Sequence, residues 1–410
     1  MAQQLLSGEA FAPVWPPGLP GYLSLCYRVL GAHQVVAMGS MLVWYAAFAV
    51  LFYLLCARVA GRRAGGIALA VFAVWPTAIY HSVFPLTQLP VATLLVAAAL
   101  ALLELRRRRR LWPAAFAGAV LGYCTLVRPS TGLLTAATPL ALAWRQRGLR
   151  LAAPIMLITS VALMVPWFVR AESMTGRFVP INYASSRNLY LGNNEWTPLY
   201  KTWWFGSHLG EGLVPDEFAE VEARMEELPL HERDGAYRAL ALEHIADHPG
   251  TFVVRTVNRI RVYFSFDTYT GTVLTRYYGL PTLIGLGVIL ADAIIYMGIM
   301  LGAIAGLFLR TTLDLNRREL LTLVLIALGY AAPYWFSFAH PTYHLPVMPL
   351  FLVPAAALAA WRPPTGRRGV GRREAIAALA QRRAFLVCVV VFLYAQLEWA
   401  CVMAVGLLGR

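Results

Sequence analysis

Charge is scarce in this chain. Only 14% of its 410 residues are Asp, Glu, Lys or Arg, against 59% hydrophobic residues, whereas a soluble domain carries roughly a quarter charged residues. Mean hydropathy is +0.59. That deficit excludes an ordinary soluble enzyme. The sequence also lacks any CxxC or Cys/His ligand spacing. Cys26, Cys56, Cys124, Cys388 and Cys401 lie in or beside apolar stretches, which argues against a disulfide framework or a zinc site and for small residues in helix packing. There is no Asp-x-Asp motif, no GxGxxG opening a soluble αβ unit and no Walker loop, so a nucleotide-binding domain is not expected. The opening stretch MAQQLLSGEAFAPVWPPGLP has no basic region leading into an apolar one. It is not a secretory signal, and it is too short and proline-rich to cross a bilayer.

What is present is a series of long apolar runs. On a scale of about 20 apolar residues per span, spans are expected near 35–57, 66–82, 86–104, 111–127, 130–144, 151–170, 280–309, 319–339, 344–361 and 384–407. The expected fold is an all-α polytopic membrane protein of about ten transmembrane helices. Its organisation reads as an external N-terminal segment (1–34), a membrane bundle of about six spans (35–170), an external loop with amphipathic helices (171–279) and a bundle of about four spans (280–410). The net charge of +14 does not point to nucleic acid, because the basic residues form short runs between the apolar segments. Well over half of the 35 basic residues fall in the loops holding Arg58–Arg63, Arg106–Arg110, Arg145–Arg150, Arg310–Arg318 and residues 362–383. The positive-inside rule puts those loops in the cytoplasm and places residues 1–34, 171–279 and the C-terminus outside. Two amphipathic helices, near 216–228 and 232–247, are expected to form a small external cap.

Several stretches then carry a resemblance. AQQLLSGEAF and WPPGLPGYLSLCYRVLG are followed by ARVAGRRAGGIALAVFAVWPTAIYHS, TLVRPS, YLGNNEW, DHPGTFVVRTVNRI and HPTYHLPVMPL. In this order the chain resembles the GT-C superfamily of polyprenyl-phosphate-sugar-dependent glycosyltransferases, and its bacterial members related to protein O-mannosyltransferases and the lipid A aminoarabinose transferase. The resemblance implies a GT-C-like bundle in the cell (inner) membrane. It implies transfer of a sugar from a polyprenyl-phosphate carrier to a hydroxyl of a glycan, lipid or protein acceptor at the external face. The sequence departs from the family at two places. Members begin with a cytoplasmic first helix and an acidic residue, taken as the catalytic base, just before the AxxL…G stretch, and here Met1 stands just after that place. An upstream helix is therefore expected to be absent from this chain, with little transferase activity without it. Members also often carry Arg before the late Tyr, where Thr342 precedes Tyr343.

Such a transfer needs a carboxylate to take the acceptor's proton, a cation for the departing phosphate and a groove for the lipid. Glu9 is the acid available before the first span; it follows the family's acid position rather than occupying it, and its alternative reading is an ordinary solvated loop residue. Arg128, in TLVRPS before a helix-breaking proline, is the basic residue of the short external loops. It reads either as the phosphate-binding cation or as a snorkelling interfacial arginine. His81, His340, Tyr343 and His344 fall at external span ends, where they can bond phosphate or sugar, hold a divalent metal or anchor the interface. Asn193 and Asn194, in NLYLGNNEWTPLYKTWWF, suit sugar hydroxyls or an interface belt in equal measure. Arg255 and Arg259 read as head-group contacts on a surface-lying helix. Asp216, Glu217, Glu220 and Glu222 read as the solvated start of an amphipathic helix. Gln88 is a cavity-lining candidate without basic function.

Two other classes stay open: a transporter or flippase of lipid-linked sugars, and an inactive relative that binds the carrier. Against transport, only Glu104, Asp292 and Glu398 lie in or near spans and no half-to-half repeat is visible.

Overall fold

The computed structural model describes residues 1–7, 13–145, 150–183, 185–199, 215–362 and 372–408, all helix, turn or loop, with no strand among them. Every expected span has a helical counterpart. Among the described residues seven helices are long and apolar enough to cross a membrane alone, and Arg62–Val74 with Pro76–Val83, bent by 73°, makes an eighth if the pair is one span. The expected spans at 111–127 and 130–144 are the shorter helices Trp112–Val127 and Gly132–Arg145. Pro129 follows the first of them, which ends at the expected boundary.

Burial separates a central helix from peripheral ones. Gln88–Arg108 is 89% buried over its apolar window, whereas Gln34–Ala60 and Thr282–Phe308 are each 28% buried and Arg383–Ala404 is 17% buried. The peripheral helices expose large apolar side chains such as Val43, Val50, Leu290, Val390 and Leu397. In water such surfaces would aggregate; in a bilayer they face lipid, while the helices satisfy their own backbone groups.

The chain divides into two compact units, each assembled from separated segments. The first comprises residues 1–37, 118–264 and 329–343. In it Gly118 and Gly122 lie directly against Met156 and Ser160, and a Cβ on Gly122 would fall 2.5 Å from the Ser160 carbonyl oxygen. The Ser160 hydroxyl donates to the Gly118 carbonyl at 2.8 Å. Small residues let two membrane helices meet backbone to backbone, where dispersion and hydrogen bonds replace the hydrophobic drive that lipid removes. The N-terminal segment is tied down as Tyr183 N–H donates to the Pro13 carbonyl and Asn182 Nδ2 to that of Val14.

The same unit holds the cap, made of helices Ser185–Gly192, Asp216–Glu227 and Leu230–Asp247. Its core is Tyr190, Leu191, Phe218, Val221, Tyr237 and Ala241. Glu222 departs from the solvated reading: it pairs with Arg187 and accepts from the Tyr237 hydroxyl at 2.8 Å. It sits on the inward-facing turn of its helix, where the i, i+4 acidic pattern alone cannot tell inside from outside.

The second unit comprises residues 38–117, 265–328 and 344–410. Phe48, Phe52, Phe72 and Trp75 interlock there as stacked and edge-on rings. Thr282–Phe308 packs on Met348–Ala360, with Gly306 close against Pro354. Glu104 gathers Arg58, Arg107 and Arg108.

A candidate phosphate site around Arg128

Arg128 leaves the helix Trp112–Val127 in an extended conformation (φ −147°, ψ 104°), the conformation favoured for a residue before proline. Its side chain is half-buried and meets rings rather than acids. The guanidinium carbon lies 4.8 Å from the Tyr343 ring centroid and 5.5 Å from that of Tyr334. The two rings are themselves 4.9 Å apart, and Tyr263 stacks on Tyr334 at 5.9 Å. Ser130 Oγ and the Tyr334 hydroxyl share a 2.7 Å hydrogen bond, and Tyr334 donates onward to the Tyr330 hydroxyl at 3.3 Å. Arg128 Nη1 is buried without a hydrogen-bond partner, and among the described residues Arg128 forms no ion pair. Cation–π contact offsets part of the cost of holding this charge, but a low-dielectric site with an unpaired donor favours an anion.

His340 belongs to the same cluster, its ring 5.8 Å from Tyr343. Its Nδ1 accepts the Thr342 N–H at 3.2 Å, so in the neutral ring Nε2 carries the proton and is the donor. Thus Arg128, His340 and Tyr343 come together in one unit. His81 and His344 fall in the other unit. His81 Nδ1 donates to the Thr77 carbonyl at 3.0 Å, and His344 stacks on Tyr296 at 4.7 Å. Gln88 is buried at the start of the central helix. Glu9 lies outside the described residues. Among those residues no group of three or more His, Cys, Asp or Glu is placed to hold a metal ion.

Asn193 and Asn194 have their amides committed to the fold. Asn193 Nδ2 donates to the Leu189 and Phe336 carbonyls, and its Oδ1 accepts from Arg259 Nη2 at 3.0 Å. Asn194 Oδ1 takes the Trp196 and Thr197 N–H groups. Arg255 and Arg259 are not head-group contacts on a surface: they are 3% and 0% exposed. Arg259 donates to the Gly192, Trp335 and Phe336 carbonyls, and Arg255 to those of Asn194 and Thr197. Burial, and then the neighbouring Arg255, push the Arg259 guanidinium down to about 9, which leaves it charged at neutral pH. The YLGNNEW turn offers its carbonyls to this helix face, which an amphipathic pattern alone does not reveal.

Tyr263, Tyr330 and Tyr334 were not singled out from the sequence. Their signal was available: Tyr330 and Tyr334 sit four residues apart in LGYAAPYWF and therefore share one helix face.

No family model matches the chain, and no curated protein matches it. Among solved structures, ArnT from Cupriavidus metallidurans bound to undecaprenyl phosphate is similar at 13% identity with a TM-score of 0.41, over 92% of this chain and 72% of that one. The archaeal oligosaccharyltransferase AglB from Archaeoglobus fulgidus, in complex with an inhibitory peptide and a dolichol-phosphate, is similar at 15% identity with a TM-score of 0.47, over 94% of this chain and 47% of that one. The apo form of the Cupriavidus ArnT is similar at 14% identity with a TM-score of 0.37, over 88% and 70%.

Proposed function

We propose that the protein is a membrane glycosyltransferase that moves a sugar from a polyprenyl-phosphate carrier to an acceptor hydroxyl at the external membrane face. The observation that carries this reading is Arg128, a cation held over tyrosine rings with a buried donor unpaired and no carboxylate partner among the described residues. A departing lipid phosphate supplies the missing anion. Guanidinium and phosphate make charge-assisted hydrogen bonds that strengthen as charge develops on the leaving oxygen. His340 Nε2–H and the Tyr343 hydroxyl are the neutral donors beside it, and Glu9 is the candidate base of the N-terminal segment. The sequence motifs from AQQLLSGEAF to HPTYHLPVMPL support the same reaction class, and the apolar faces of the peripheral helices suit a lipid-borne substrate.

The test uses membranes containing the chain, a radiolabelled polyprenyl-phosphate sugar and separate measurements of binding and transfer. Arg128→Ala should weaken carrier binding by at least about tenfold, the value of one charge-assisted contact, and abolish transfer. Tyr343→Phe, which keeps the ring, should leave binding within about threefold, because the cation–π term remains. Carrier binding that is unchanged in Arg128→Ala would refute the assignment. Binding without any transfer would favour the inactive relative.

A further inference from the structure

The cap contains a concave surface that the phosphate site does not use. A cleft of about 550 Å³ is lined by residues from all three cap helices and from the Glu195–Trp196 turn. Trp196 forms one side. Its backbone N–H donates to Asn194 Oδ1 at 3.0 Å, and its ring meets Phe218 edge-on at 5.8 Å and 78°. The backbone bond fixes the turn, and packing on Phe218 orients the indole before any ligand arrives. Glu195, Glu243 and Asp247 bring carboxylates to the lining, against the single guanidinium of Arg224, while Val221 and Leu240 provide apolar contact.

His244 also lines the cleft, as one tautomer of the neutral ring. Its Nε2 lies 3.1 Å from Arg255 Nη1, and since a guanidinium can only donate, Nε2 is the acceptor and Nδ1 carries the proton. The His248 ring stacks on it at 4.7 Å. Arg255 also holds the Asn194 carbonyl at 2.9 Å. The histidine wall and the tryptophan turn thus share one buried arginine, and the cleft is pre-organised rather than an incidental gap between helices.

These groups select a ligand class. An indole face takes the C–H side of a pyranose, carboxylates accept from ring hydroxyls or from an amine, and the excess of carboxylates over guanidinium rejects an anion. We propose that the cap cleft binds a carbohydrate that is neutral or amine-bearing. The further step, that this sugar is part of the acceptor, rests on the transferase reading above.

The full chain in lipid nanodiscs, free of sugar-based detergent, is titrated with a neutral hexose disaccharide, its amino-sugar counterpart and its uronic-acid counterpart, followed by saturation-transfer NMR. The neutral and amino sugars should bind with dissociation constants of about 1 mM or lower, and the uronic acid at least about tenfold more weakly. The double variant Glu243→Gln, Asp247→Asn should abolish that preference. Trp196→Ala should remove binding. Trp196→Phe, which keeps a ring against Phe218, should fold as the wild type and bind at intermediate strength. Absence of binding by both the neutral and the amino sugar, equal binding of the uronic acid, or wild-type behaviour of both Trp196→Phe and the double variant would each overturn the proposal. Arg128→Ala separates the two readings. It should lose the lipid phosphate and keep the disaccharide, so a chain that binds disaccharide but never the carrier sinks the transferase reading alone.

Discussion

Arg128 and Arg259 belong to the same compact unit and carry the same group, yet their surroundings are opposite in kind. Arg259 is fully buried, and four oxygen acceptors surround it: three backbone carbonyls and the Asn193 amide. Partial negative charge from fixed dipoles offsets its charge, and both terminal nitrogens are taken up by the fold, with only Nε left without a partner. Arg128 is half-buried, faces the rings of Tyr334 and Tyr343, and keeps a donor unpaired. A guanidinium whose two terminal nitrogens are held by its own fold acts as a structural clamp, and one with a terminal nitrogen short of oxygen is the one we propose to receive an anion. Burial alone does not separate the two, because the more deeply buried arginine is the one whose terminal nitrogens the fold occupies.

The largest expected effect tests the clamp. Arg259→Ala strands several buried carbonyls, each worth about 1–3 kcal/mol when unsatisfied. It should lower the stability of the unit by about 3 kcal/mol, seen as a marked fall in thermal midpoint and greater proteolysis of the cap. A midpoint within a degree of wild type would erase the contrast with Arg128. Arg128→Ala should show the reverse pattern when no lipid phosphate is present. Removing an incompletely paired charge leaves no acceptor unsatisfied, so the midpoint should stay within about 1 kcal/mol of wild type or rise. Added polyprenyl phosphate should then raise the midpoint of the wild type and not of the variant.

A smaller effect concerns pH. Burial first, and then the charges of Arg255 and His248, hold the His244 imidazole below its ordinary value of 6.5. The unfolded chain therefore takes up the proton first as pH falls. The stability contributed by neutral His244 is complete above about pH 6.5 and is lost progressively on acidification toward the lower folded value. The cap, followed by limited proteolysis, should loosen as pH falls below the ordinary imidazole value of 6.5, and His244→Gln, which retains an acceptor for Arg255, should flatten that dependence. Equal protection across this range would show that the Arg255 contact does not depend on the neutral ring.

Hydropathy was enough to anticipate a helix for each apolar run and both long cap helices, because lipid imposes length and apolarity on any span, though short helices such as Gly18–Leu30, Tyr269–Arg276 and Arg372–Ala380 escaped it. Arg128 was legible for a related reason: a cation beside a proline at a span end is conspicuous when charge is rare. Its tyrosine surround was not, since aromatic residues at helical spacing inside an apolar run look the same whether they pack on lipid, on a helix or on a cation. The roles of Arg255 and Glu222 were hidden for another reason. The partners Thr197 and Arg187 lie 58 and 35 residues away in sequence, and amphipathic periodicity says which residues share a face, not what that face meets.

The discontinuity of the first unit bears on how the protein is made. Arg128 emerges from the ribosome early, but Tyr330, Tyr334, His340 and Tyr343 belong to the segment 329–343 of a 410-residue chain. For most of synthesis the arginine enters the bilayer without the rings that later receive it. Assembly of the pocket must therefore wait until about four-fifths of the polypeptide has been translated, by which time the cap has its complete sequence. A nascent chain arrested before Tyr330 carries Arg128 without Tyr330, Tyr334, His340 and Tyr343, so its charge lacks the rings that flank it in the finished fold.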